Sequence, residues 1–104
     1  MVKVVVVVRR LDGMSRETFL RYWQHDLVPY VAALSGVRRY RQSPAIEHRT
    51  AWPWDGAAEV WFDDVAAVKA ALSSPAGVEL LRYEERFMGE KSWFIAEDHP
   101  VFGD

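Results

Sequence analysis

The sequence predicts an α+β fold: an antiparallel sheet in the order β-α-β-β-α-β, with both helices on one face. Three observations predict it. The first is an unbroken run of valines, Val4 to Val8, flanked by Lys3 and Arg9. The second is an apolar stripe at helical spacing: Phe19, Leu20, Trp23, Leu27, Val31 and Leu34. The third is the alternation in residues 57–62, AAEVWF. Connection and chirality rules then favour placing both helices on the same side of the sheet.

Each element has a local reason. Residues 2–9 form the first strand, because valine is β-branched and suits a pleated surface. The run does not alternate, which predicts burial on both faces. Asp12-Gly13 marks a turn. Ser15 is a helix N-cap, Glu17 is favourable in the first turn, and Gly36 ends the helix. On an ideal helix the apolar stripe spans an arc of about 120°. Within YWQHDLVPYV, Pro29 leaves the His25 carbonyl unpaired, at roughly 3 kcal/mol if the helix is continuous. Residues 37–48 read as the second strand, where Pro44 fits only an edge or a bulge. Residues 49–56, RTAWPWDG, form a loop.

In the third strand, 57–62, Ala58, Val60 and Phe62 point one way and Glu59 and Trp61 the other. Asp63 or Asp64 caps a second helix carrying Val65, Val68 and Leu72. Ser74-Pro75 restarts a helix with proline at its first position. Val78, Leu81 and Phe87 are expected inward, and Gly89 closes that helix. Residues 91–102 are the last strand.

A length of 104 residues fits one domain, 1–104. A net charge of −2 gives no reason to expect nucleic acid. The absence of cysteine excludes thiolate chemistry and is compatible with a reducing cytoplasm. The valine run is too short to span a membrane, and no cleavage site follows it. Helices on one side leave the other face of the sheet bare, although the first strand is apolar on both sides. Trp61 and Trp93 are expected to add to that second face. A bare apolar face marks an interaction site. The economical solution is a homodimer whose sheets pack face to face, with any internal pocket on the same face.

The segments RRLDGMSRETFLRYWQHDLVPYV, GVRRY, DGAAEVWFDD and ALSSPAG together resemble the EthD-domain family of the dimeric α/β-barrel superfamily. The combination of Met14-Ser15, Phe19, Tyr22-Trp23, His25 and Glu59 with Trp61-Phe62-Asp63-Asp64 carries the resemblance. Here the proline follows His25 by four residues, where the family more usually has His-x-Pro. The resemblance implies a ferredoxin-like fold that dimerises into a barrel. It also implies kinship with cofactor-free isomerases, cyclases, dehydratases, decarboxylases and oxygenases acting on lactones and aromatic or polyketide-like molecules, and with a non-catalytic accessory protein. Fold transfers along such a resemblance and reaction does not.

Three side chains are candidates for catalysis. His25 is a candidate because, among catalytic side chains, histidine is the type whose unperturbed pKa lies nearest neutrality, and the resemblance implies a proton-transfer role for it. On an ideal helix, however, it lies about 180° from the stripe and faces solvent, unless the chain bends before Pro29. His48 shares strand parity with Tyr40, Gln42 and Ile46, which suits a pocket with a few polar groups; the alternative is an exposed strand end. Glu59 is either a buried acid or base, or half of an ion pair with Arg39 or Arg41. Tyr22, Tyr40, Gln42, Trp61 and Trp93 are candidates for contacting a small apolar or aromatic molecule. Trp52 and Trp54 are a lid or merely pin their loop. No histidine spacing suits a metal, and no glycine-rich phosphate loop is present.

Three functional readings follow. The first is a cofactor-free, His-based enzyme acting on a cyclic, aromatic or polyketide-like molecule. The second is a non-catalytic binding or accessory dimer. The third is a haem protein, since distant barrel relatives bind haem and histidine is its usual ligand.

Overall fold

The computed structural model describes residues 1–103. Strand β1 (Val2–Arg10) is followed by helix α1 (Arg16–Arg21), a π-helical turn (Tyr22–Asp26) and helix α2 (Val28–Ala32). Strands β2 (Arg39–Pro44) and β3 (Gly56–Phe62) come next, then helices α3 (Val65–Ser73) and α4 (Pro75–Glu84) and strand β4 (Met88–Glu97). The sheet order is β2-β3-β1-β4, antiparallel throughout. This is the ferredoxin-like fold. No helix is long and apolar enough to cross a membrane among the described residues.

Caps fix the helix starts. The Ser15 hydroxyl accepts from the Thr18 N–H at 3.1 Å. The Asp64 carboxylate accepts from the Ala67 N–H at 2.8 Å. Asp63 instead pairs with Arg38. The Ser74 hydroxyl accepts from the Gly77 N–H at 3.1 Å, with Pro75 opening α4.

The long first helix is broken where Pro29 sits. The Leu27 N–H donates to the Tyr22 carbonyl five residues back, at 2.8 Å. The next turn restarts from the Leu27 carbonyl, which accepts from Tyr30 at 2.9 Å. Pro29 thereby falls in the first turn of α2, where its missing N–H has no carbonyl to serve. The π turn absorbs the proline, and the cost expected of a continuous helix is avoided.

The sheet's two faces divide by parity. Val2, Val4, Val6 and Val8 point toward the helices, with Ala58, Val60 and Phe62. There they meet Phe19, Trp23, Leu27 and Val31 from the first helical stretch and Leu34 just beyond it, all buried. The rings of Phe19 and Trp23 are 5.3 Å apart, and Phe87 closes on Phe19 at 5.8 Å. The opposite face carries Lys3, Val5, Val7, Glu59, Trp61 and Phe94 by the same parity.

Several expectations need correction. Trp93 pairs with Val6, so it shares the helix side with Val6 and not the face of Trp61. Strand β2 stops at Pro44, an edge position, so His48 lies in the following loop. Strand β4 begins at Met88 and ends at Glu97, so Gly89 lies within it. Helix α4 buries Gly77 and Leu80, while Val78 and Leu81 are largely exposed, as is Val65 of α3. The tight α3–α4 corner explains the rotation. A Cβ on Gly77 would lie 2.4 Å from the carbonyl oxygens of Ala71 and Leu72. Backbone atoms cannot yield as side-chain ends do. Gly77→Ala is therefore expected to destabilise the protein by about 1–3 kcal/mol in urea unfolding.

Candidate functional site: an apolar cavity between sheet and helices

A cavity of about 340 Å³ lies between the sheet and the helices. Its floor is the inward face of the strands: Val4, Val6, Ala58, Val60 and Phe62, with Trp93 at one side. Its roof is Leu27 and Val31 from the first helical stretch, Leu34 just beyond it, and Leu72, Leu80 and Leu81 from the second pair. This volume is within the range that holds a small ligand. This cavity lies on the helix side of the sheet, whereas the sequence places a pocket on the opposite face of a dimer. The helices do not seal down on the sheet, because small Ala58 and β-branched Val4, Val6 and Val60 leave space beneath the leucines.

Three polar side chains interrupt the apolar wall: Tyr40 from β2, Glu84 from the last turn of α4 and Lys91 from β4. Gln42 holds Tyr40. Its Nε2 donates to the Trp23 carbonyl at 2.8 Å and to the Tyr40 hydroxyl at 2.7 Å. The Trp23 carbonyl can only accept, so it fixes which way the amide points. Tyr40 is then the acceptor toward Gln42 and keeps its own proton for another partner. Burial pushes the Tyr40 hydroxyl pKa up; the Gln42 bond opposes this, and the charge of Glu84 adds to it. Burial likewise raises the Glu84 carboxyl above its ordinary value, against the opposing pull of Lys91. The Lys91 Nζ donates to Glu84 Oε1 at 2.5 Å.

The sequence candidates do not converge. His25 is exposed on the π turn and lines a surface groove with Glu17, Leu20 and Gln24, not the cavity. The bend before Pro29 does not turn it inward. His48 is exposed, and its Nδ1 accepts from the Thr50 N–H at 3.1 Å. Glu59 sits on the far face of the sheet, where the Lys3 Nζ meets it at 2.7 Å. Its partner is Lys3, not Arg39 or Arg41.

Of the five expected contact residues, Tyr40 and Trp93 line the cavity and Gln42 supports Tyr40. Tyr22 stacks instead on Phe87, 5.6 Å between centroids. Trp61 is buried on the far face beneath Lys3 and Arg39, whose cations lie 5.3 and 4.8 Å from its ring. Trp52 and Trp54 pin their loop: the Trp52 Nε1 donates to the Ile46 carbonyl, and Arg9 lies over Trp54.

Glu84 and Lys91 were missed. Glu84 follows the buried Gly77 and Leu80 at seven and four residues, so the inward stripe of α4 ends on it. Lys91 lies two residues before Trp93 and therefore shares its side of the sheet. No histidine lines the cavity, so its wall does not fit haem with a histidine ligand.

Comparison with known proteins agrees with this architecture. The EthD domain family matches residues 11–104. No curated relative matches the sequence. An ethyl tert-butyl ether D (EthD) family protein from Bacillus halodurans superimposes with a TM-score of 0.82 at 16% identity, covering 95% of this chain and 99% of that one. A hydroxynitrile lyase from Passiflora edulis gives 0.77 at 14% identity, covering 98% and 96%. A dimeric protein of ferredoxin-like fold from Bacteroides fragilis gives 0.72 at 16% identity, covering 93% and 95%.

Proposed function

The chain belongs to the EthD domain family, and on that premise we propose that it is a cofactor-independent enzyme whose active site is the cavity between sheet and helices. The observation that carries this reading is the placement of Tyr40 and Glu84, two groups with raised pKa values, on an otherwise apolar wall. The substrate is a small cyclic or aromatic carbonyl compound. Glu84 removes a proton from the carbon beside the carbonyl, and the Tyr40 hydroxyl donates a hydrogen bond to the oxygen on which charge develops. Isomerisation, cyclisation and dehydration share that step, and the resulting anion is also the species that reacts with dioxygen. Glu84 and Tyr40 take the roles first expected of His25, His48 and Glu59.

We place the protein in a homodimer through the open face of the sheet. Val5, Val7 and the exposed Phe94 on that face support this, as does the dimeric state of the Bacteroides protein. That the Passiflora neighbour is a lyase supports a catalytic use of this fold.

The test is exchange of the α-protons of 1-tetralone in deuterated buffer, followed by NMR. Wild-type protein is expected to exceed the buffer rate. Tyr40→Phe is expected to lower the enzymatic rate about 10²-fold, and His25→Ala to leave it within about twofold. Equal rates for Tyr40→Phe and wild type would remove the oxygen-binding role. A second reading, an accessory protein that binds without turnover, is favoured by the nearly wholly apolar wall. It predicts saturable binding of 1-tetralone with exchange no faster than in buffer.

A further inference from the structure

Beside the apolar cavity lies a second recess, of about 240 Å³, in the corner between α4 and β4. Its outer wall is Glu85, Met88 and Glu90. Leu81, Glu84 and Lys91 line both spaces, so these three side chains form the partition between them. Glu84 and Lys91 close it by their 2.5 Å contact. The two ends of this pair differ in exposure. The Lys91 side chain is 34% exposed and that of Glu84 is 13% exposed. Lys91 is also the cation of the cavity wall, whose other lining groups are apolar apart from Tyr40 and Glu84. Glu90, facing the outer recess, is already taken by Arg9 at 2.6 Å.

We propose that the Glu84–Lys91 pair is the doorway of the cavity and reads the ligand: Lys91 takes the acidic group, a carboxylate or ionised phenol, of an otherwise apolar ring compound. The doorway rests on the reading of the cavity as the ligand site. When the pair parts, one of the two groups must find a new partner. Lys91 reaches water, so it meets an anion without full desolvation. Glu84 is the more buried, and burial disfavours its charge. An anionic ligand is therefore accommodated by a pairing switch. A cationic ligand would need Glu84 to keep its charge inside the wall while Lys91 goes unpaired. Once Lys91 has moved to the ligand, Glu84 loses the contact that opposed its basicity.

The test is calorimetric titration of the full chain at pH 7.5 with three probes of one shape: 1-naphthoate, 1-naphthamide and 1-naphthylmethylamine. Wild-type protein is expected to bind the acid about tenfold tighter than the amide, the scale of one charge-assisted hydrogen bond. The amine is expected to be weakest. Lys91→Met is expected to erase the preference while keeping amide binding. Glu84→Gln is expected to tighten acid binding, because Lys91 then has no competing partner. Unchanged preference for the acid in Lys91→Met, or an amine bound tighter than the acid, overturns the doorway and leaves the cavity reading standing. Failure of all three probes to bind wild-type protein overturns both.

Discussion

Glu84→Gln is expected to slow the exchange of 1-tetralone α-protons by about 10²- to 10⁴-fold, the usual worth of a positioned general base. The substitution keeps size and shape and removes only the ability to take a proton. Its pH behaviour separates lost chemistry from lost folding. Burial raises the Glu84 pKa, so the folded protein holds that proton more tightly than the unfolded chain does. Its contribution to stability is fully present below the unfolded carboxylate value and is lost as pH rises through the raised folded value. Glu84→Gln has no such loss. It is expected to be at least as stable as wild type at pH 7, the difference opening just above the ordinary carboxylate range. Turnover runs the other way. The base acts ionised, so the wild-type rate climbs through the same window and the variant's does not. A variant that lost rate and stability together would contradict the assignment.

Trp23→Ala is expected to cost about 3–5 kcal/mol, the range for deleting a buried aromatic side chain. Trp23 is 1% exposed and packs on Phe19. Gly56 at the start of β3 lies so close that a Cβ there would be 2.6 Å from the Trp23 ring. The ring therefore clamps the π turn against the sheet, while its carbonyl holds Gln42 and through it Tyr40. A protein with a total stability of about 5–15 kcal/mol cannot lose that much without a large fall in its urea midpoint. A loss under about 1 kcal/mol in urea unfolding would mean that something else anchors the turn.

The fold was readable because its determinants are local. The valine run, the stripe from Phe19 to Leu34 and the alternation around Val60 each specify one element. The caps at Ser15, Asp64 and Ser74 specify where helices begin. Facing was less readable. Trp93 is one residue from Phe94, and a single step in register moves a side chain to the other face of a sheet. Strand β4 begins at Met88, within a segment whose Gly89 resembles a helix stop, so the sequence starts this strand at residue 91 instead. The cavity was the least readable, because it is a space left between elements. Histidine drew the sequence reading to His25 and His48, since its pKa suits proton transfer in any setting. Glu84 becomes a candidate only through burial, which its own residue type does not reveal.

The central claim is that ligand enters between the sheet and the helices. Its most direct test is chemical-shift mapping of the isotopically labelled protein titrated with 1-tetralone. Saturable shifts centred on Val4, Val6, Tyr40, Leu80 and Trp93 are the predicted result. Shifts centred on Val5, Val7 and Trp61 of the opposite face, or on His25 and its groove, would contradict it.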